Sequence, residues 1–408
     1  MPHALSDEPA GRTSDPLLLF TPLRIRGVTI RNRIGVSPMC QYLSEDGAPT
    51  DWHLVNLGRY AIGGAGIVFG EETAVEPGGR KTYACAGIWD DAHVPLYRRI
   101  NAFLKTHGAV PAIQLGHSGA KAANHGAQRD WEPITRETAL PGMPPWQGIA
   151  PSPVPDSPGH SLPREMDRND IRFVIGAFVE AAKRSLDAGF EIIEIHGAHG
   201  YLIHQFLSPL RNLRTDGYGG DREGRMRFAL EIAEAVRGAI ADDVPLFFRV
   251  SAVDGRGGLW DIEDSIALSK ELRLHGVDVV DCSSGGISGD SPMPILPRVP
   301  GYQVEYARRI RQEAGIATAA VGLITEPHHA ERILAEGSAD IILLARELMY
   351  NADWPAHAAK ALNVGNWHDL FPPEFAHRLK RRELVSAMAI NQPGGPLRDE
   401  DMRLIEST

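Results

Sequence analysis

Cysteine is scarce. Three residues in 408, Cys40, Cys85 and Cys282, lie far apart and are odd in number. This excludes a disulfide framework and any CxxC metal or iron–sulfur site, and it sets the expectation of a reducing, cytoplasmic setting. Long apolar runs are missing too: no stretch of about 18 apolar residues is available to span a bilayer. A basic excess is absent. The 42 Lys and Arg are outnumbered by 52 Asp and Glu, a net charge of −10, so no basic face is expected for nucleic acid or an anionic membrane. The opening MPHALSDEPAGRTSDP has neither the basic start nor the apolar segment of a secretory signal. There is no GxSxG elbow and no GxGxxG turn between strand and helix, which counts against a serine hydrolase and a Rossmann half.

What is present is one repeated unit. Eight short apolar runs alternate with stretches of helical period: Arg33–Ser37, Gly66–Phe69, Val110–Leu115, Ile192–Ile195, Pro245–Val250, Val277–Asp281, Ala317–Val321 and Ile341–Leu344. After Asp167, a fitting N-cap, apolar residues fall at Ile171, Val174, Ile175, Phe178, Val179, Ala182 and Leu186, and Gly189 closes the segment. Strands alternating with helices mean a parallel sheet covered by helices. Eight units match an α/β fold of the TIM (β/α)8 barrel type, in a single barrel over residues 18–363. Residues 18–30 read as a hairpin ahead of it, residues 1–17 as a mobile arm, and 364–408 as an irregular C-terminal extension. After the third strand, residues 118–164 form a long insertion with eight prolines between Pro141 and Pro163. A loop of this length is either a lid over a site or a plain surface insertion.

Catalytic groups of such a barrel come from strand C-termini. Reading past each run gives Pro38-Met39-Cys40-Gln41-Tyr42, Glu71-Glu72, Gln114 and His117, then His196, His199 and Tyr201, Arg249, Ser283-Ser284, Gly322 and Arg346. For His196 and His199 a metal reading lacks a third ligand and an HExxH helix, and capping of the next helix is a second alternative. As a third, two imidazole donors aimed at one point can hold a carbonyl or phenolate oxygen while Tyr201 delivers a proton. Arg249, inside FFRVSA, must be paired if buried, and it becomes a site residue if an anion or polar ring sits on the barrel axis. Gly322 and Arg346 end strands seven and eight, where barrels carry phosphate sites made of backbone N–H groups. Cys85 and Cys282 read as packing. The fifth and sixth strand ends lack a Lys, against a Schiff-base aldolase.

Four segments, LFTPLRIRGVTIRNRIGVSPMCQY, IQLGHSGAKA, EIHGAHGYLIHQFLSPLRNLRTDGYGG and DIILLARELM, resemble the Old Yellow Enzyme family of FMN-dependent ene-reductases. The likeness is to its thermophilic-like branch of xenobiotic reductases and bacterial NADPH dehydrogenases, and it runs from Leu18 to Ala361. It implies a TIM barrel with noncovalent FMN at the strand C-termini, NADPH (or NADH) as co-substrate, and a homodimer or homotetramer. The reaction implied is hydride transfer to the β-carbon of a small-molecule activated alkene: an enone, enal, maleimide or nitroalkene. By this resemblance Ser37, Pro38, Met39, Cys40 and Glu72 lie along the flavin, and Gln114 bonds its pyrimidine edge. Arg249 stands near N1 and O2, where a cation favours the reduced anionic flavin, and Gly322, Ala345 and Arg346 hold the phosphate. His196 and His199 bind the substrate oxygen, Tyr42 lines that pocket, and Tyr201 is the proton donor.

The chain departs from the branch in places. Ala120 replaces an Arg in LGHSGAKA, and Ala345 replaces a Gly, a small change if its φ is negative. Glu72 stands where Ala is usual; FMN binding survives if only its backbone touches the flavin, but a carboxylate near the ring would disfavour its anionic form. Arg378, in Phe375-Ala-His-Arg-Leu, is the candidate to reach a neighbouring subunit's site. Rival readings are a flavin-free, phosphate-binding lyase or isomerase and a non-enzymatic flavin binder.

Overall fold

The computed structural model describes residues 17–257, 259–288 and 298–391. Eight parallel strands close a barrel in chain order: β1 (Ile34–Val36), β2 (Ile67–Ala74), β3 (Val110–Gly116), β4 (Ile192–Gly197), β5 (Leu246–Ser251), β6 (Val279–Ser283), β7 (Ala317–Ala320) and β8 (Ile341–Leu344). The TIM-barrel expectation is met, as is the hairpin, whose strands Leu23–Ile25 and Val28–Ile30 pair antiparallel. Ile30 packs with Ile67, Val110, Ile192 and Phe247, so the hairpin closes the barrel at the end where the strands begin.

The helices start and stop where side chains satisfy their free backbone groups. Asp167 accepts from the Asn169 and Asp170 N–H groups at the head of the helix Arg168–Asp187. Asp261 does the same for Glu263 and Asp264 ahead of the helix Ile262–Leu274. Gly63 caps the helix Asp51–Ile62, so the run Gly63-Gly64-Ala65-Gly66 stops a helix ahead of β2. Gly189, at φ +84°, supplies the left-handed turn that leads from the helix Arg168–Asp187 into β4.

Period-two alternation then decides what lies inside. Ile192, Phe247, Val279 and Ile341 form an apolar inner layer, while their neighbours Ile193, Phe248, Val280 and Ile342 face the helices. Two residues further along β4, β5 and β6 the inward positions turn polar: Glu194 then His196, Arg249 then Ser251, Asp281 then Ser283. The barrel is therefore apolar at its base and charged toward its mouth. Cys282 faces outward into the helix layer, in keeping with a packing role.

Two expectations need correcting. Glu71 and Glu72 lie within β2 and not past its end. The pairing of β2 with β3 shifts between Phe69 and Glu72, and this bulge turns Glu72, in place of Glu71, onto the inner face with its partner Gln114. The C-terminal extension is not irregular over its described part: Trp367–Leu370 forms a 3-10 turn and Pro373–Asn391 a helix. The arm over 1–16 and residues 392–408 lie outside the described residues. None of the described helices is long and apolar enough to cross a membrane.

Candidate active site

The long insertion is tied over the barrel mouth. Trp146 Nε1 donates to Gly78 O at 3.1 Å, and Tyr83 Oη donates to Pro144 O at 2.6 Å. Arg80 stacks over the rings of Tyr83, Trp89 and Trp146. At its near end Trp131 meets Tyr42 edge to face, with centroids 5.0 Å apart. Tyr42 itself sits at φ +57°. These contacts place the insertion as a wall of the mouth.

A cavity of about 540 Å³ opens beside β5–β8 and is lined by His199, Arg249, Ser283, Gly322, Ala345 and Arg346, among others. Arg249 Nε stands 3.0 Å from Asp281 Oδ2, its register partner on β6. Glu194, on β4, accepts from Gln114 Nε2 at 2.8 Å. Burial, reinforced by Asp281, pushes Glu194 well above the usual carboxylate range against the pull of Arg249. Burial also raises Asp281, opposed by Arg249. With one cation between two acids, Glu194 is the acid that keeps its proton, because Asp281 holds the direct ion pair.

This cavity suits FMN. Its volume lies in the range of small-cofactor sites, roughly 300–1,000 Å³. Arg249 brings a fixed cation into it. At Gly322, φ is +128° and a Cβ would come within 3.1 Å of the Tyr302 ring, so only glycine leaves that backbone open. Ala345 sits at φ −111° and ψ −98°, so its replacement of glycine requires no left-handed backbone.

His196, Tyr201 and His199 form the bridge between this cavity and the opposite rim. His196 lies 5.0 Å, centroid to centroid, from both His199 and Tyr201. Its Nδ1 accepts from the Ala198 N–H at 3.3 Å, which assigns the proton to Nε2. That Nε2–H donates to His199 Nδ1 at 3.2 Å, and His199 Nε2 then donates to Ser283 Oγ at 2.7 Å. Burial, helped for His196 by His199 and Arg249 and for His199 by Arg249 and His204, pushes both rings well below the usual imidazole value, so both are neutral. The two donors thus form a chain, His196 to His199 to Ser283, where the spacing suggested convergence on one point. A buried N–H takes the acceptor within reach.

On the rim of β1 and β2 the structure gathers Cys40, Tyr42, Glu72 and Tyr201 around Lys81, a residue that sequence reading missed. Lys81 is buried and ion-paired to Glu72. Its ammonium donates to Cys40 Sγ at 3.1 Å, and it faces the rings of Tyr201 at 4.8 Å and Tyr42 at 5.7 Å. Burial works against the charged form, but Cys40 and Glu72 more than offset it and hold Lys81 well above the ordinary value. Glu72 is therefore not a lone carboxylate. Burial pushes the Cys40 thiol up to about 12, with Lys81 pulling it down, so Cys40 is no nucleophile near pH 7. Burial likewise raises Tyr201, again against Lys81, and its phenol stays protonated.

Other expected residues fall nearby without joining these groups. Ser37 N–H donates to Leu344 O at 2.8 Å, and Ser37 and Met39 line a small cleft with His53 and Glu71. His117 pairs with Glu76 at 2.9 Å. Lys121, also missed, donates to His199 O at 2.9 Å and Gly286 O at 2.6 Å, fastening the loop after β6 onto the histidine turn. Ala120 is buried, its N–H bonded to Gln205 Oε1. Arg378 lines a separate groove of about 450 Å³ with Trp367, Phe371 and Phe375. Among the described residues no His, Cys, Asp and Glu group could hold a metal ion.

Comparison with known proteins agrees with this architecture. Residues 18–364 match the family described as NADH:flavin oxidoreductase / NADH oxidase. The chain is 45% identical over 350 residues to an NADPH dehydrogenase of Geobacillus sp. (strain WCH70), covering 85% of this chain and 95% of that one. It is 42% identical, with the same coverage, to an NADPH dehydrogenase of Geobacillus thermodenitrificans (strain NG80-2). Among solved structures, morphinone reductase superposes with a TM-score of 0.69 at 24% identity, over 86% of this chain and 91% of its own. An old yellow enzyme homologue from Zymomonas mobilis does so with 0.68 at 24%, over 88% and 98%. At that identity these two speak for the fold.

Proposed function

The chain belongs to the NADH:flavin oxidoreductase / NADH oxidase family, that of the Old Yellow Enzymes, and from that premise we propose that it is an ene-reductase acting on activated alkenes. It is an oxidoreductase with FMN as cofactor and NADPH or NADH as reductant. Bound FMN would supply the hydride chemistry, accepting hydride from the nicotinamide and passing it to the alkene β-carbon. Arg249 would hold the pyrimidine side by charge, with Gln114 beside it. Ser37, Pro38, Met39, Cys40 and Glu72 would follow the ring, and Gly322, Ala345 and Arg346 the phosphate.

The observation that carries the reading is the contact of His196 with both His199 and Tyr201. Neutral imidazoles can turn their N–H groups from each other toward a carbonyl oxygen and polarise it, at no cost of burying a charge. Tyr201, held protonated by burial, then has a proton to give to the α-carbon. Tyr42, braced by Trp131, closes the substrate side.

The test is direct. The purified protein with FMN should show a bound flavin absorption band and consume NADPH when 2-cyclohexenone is added. Failure to bind FMN, or bound FMN with no turnover across enones, maleimides and nitroalkenes, would overturn the reading.

A further inference from the structure

Tyr201 stands between two ammonium groups. Lys121 lies 5.6 Å from its ring centroid but is committed to the backbone carbonyls of His199 and Gly286. Lys81 is closer, at 4.8 Å, and is held by side chains alone: Glu72 and Cys40. A buried ion pair is weak evidence for stability, since apolar residues of equal volume often serve as well. Its position needs another reason. The pair occupies the substrate side of the rim, walled by Tyr42 and Tyr201, and not the side of the large cavity.

We propose that Lys81, anchored by Glu72, is a positioning residue for proton delivery, its ammonium stabilising the negative charge that develops on Tyr201 as the phenol gives its proton to the alkene. This rests on the reading of Tyr201 as proton donor. In the step the C=C π bond is lost and two C–H bonds form, one from the hydride that originates on NAD(P)H and one from the Tyr201 Oη proton. The tyrosinate left behind regains its proton from water. Glu72 keeps the ammonium in place and the pocket neutral overall, so a neutral enone is not excluded. Cation-over-ring contact is favourable for the phenol and more so for the phenolate.

The chemistry of the product separates this role from a structural one. An enone gives an enolate that must be protonated. A nitroalkene gives a nitronate, a stable anion that leaves without a proton from the enzyme. FMN-loaded, NADPH-reduced Lys81→Met enzyme is mixed with 2-cyclohexenone or with nitrostyrene, and flavin reoxidation is followed. We expect the enone rate to fall about tenfold more than the nitroalkene rate, a part of the hundredfold or more that a general acid supplies. The solvent deuterium isotope effect on the enone step should rise. Glu72→Gln/Lys81→Met removes both charges together and should repeat the split if the single variant loses FMN.

Cys40 reports the same charge without turnover: at about pH 10, where a small part of its thiol ionises, its labelling by iodoacetamide should slow in Lys81→Met. Equal rate changes on both substrates, or labelling as fast as in the parent, would overturn the proposal. Tyr201→Phe runs alongside. If it separates the substrates and Lys81→Met does not, only the role of Lys81 falls. If Tyr201→Phe also fails to separate them, the donor assignment itself is wrong.

Discussion

The barrel mouth holds two buried acid–base couples, and they are built in different ways. Arg249 and Asp281 are register partners on adjoining strands, turned inward by strand alternation, and Arg249 opens onto the large cavity. Glu72 and Lys81 come from a bulged strand and from the loop that follows it, and they close among Cys40, Tyr42 and Tyr201. The first couple belongs to the sheet. It offers a fixed cation to a large ligand, with Glu194 as a reserve of neutral polarity. The second belongs to the loops and lies against the rings of Tyr42 and Tyr201. On the proposed ene-reductase reading, one side of the mouth would hold the cofactor and the other would react.

The largest effect should come from breaking the sheet couple. Arg249→Met leaves Asp281 and Glu194 buried without a cation, and loss of one partner of such a pair costs about 3–5 kcal/mol. The pH dependence has a definite sign. Both acids have raised pKa values in the folded protein. Their contribution is therefore fully present below the unfolded value of about 4 and is lost as pH rises through the folded one. Urea unfolding should show a larger penalty for Arg249→Met at pH 8 than at pH 5.5, and Asp281→Asn added to it should recover most of the loss. A penalty below about 1 kcal/mol at both pH values would mean that the couple is not a tight buried pair.

The loop couple should be somewhat softer. Glu72→Ala leaves the Lys81 ammonium with Cys40 and two aromatic faces, so a loss near the lower end, about 3 kcal/mol, is expected. The double variant Glu72→Ala/Lys81→Met should stand within about 1 kcal/mol of the parent, since a buried ion pair exchanged for apolar groups is close to neutral. Additive losses in chemical unfolding would show that the two residues act separately.

The same contrast explains how far the sequence could be read. Strand–helix alternation shows eight units, and the caps at Asp167 and Gly189 follow from local chemistry. The rim residues His196, His199, Tyr201 and Gly322 are recognisable because they follow apolar runs, and Arg249 because it is a charge near the end of one. Glu194 and Asp281 were within reach: period two from Ile192 and Val279 puts both on the inner face, but reading those runs as uniformly apolar hid them. Lys81 was not. The bulge between Phe69 and Glu72 exchanges which glutamate faces inward, and no periodicity links Glu72 to a residue beyond the turn Pro77–Gly79. Pairing across a loop is decided by tertiary packing.

The smallest effect tests whether the insertion belongs to the reacting side. Trp131 is 42% exposed and touches the mouth through its edge-to-face contact with Tyr42. An aromatic pair is worth about 0.5–1.5 kcal/mol beyond its buried area, so Trp131→Ala should cost at most about 1 kcal/mol of stability. Its functional signature should be selective. Tyr42 is held at positive φ, a conformation that needs outside support, and freeing its ring loosens the wall of the substrate pocket while leaving Arg249 and Gly322 untouched. The KM for 2-cyclohexenone should rise with little change in kcat, and the affinity for FMN should stay as in the parent. Weakened FMN binding in Trp131→Ala would place the insertion on the holding side instead, and the division of the mouth into two differently built halves would then fail.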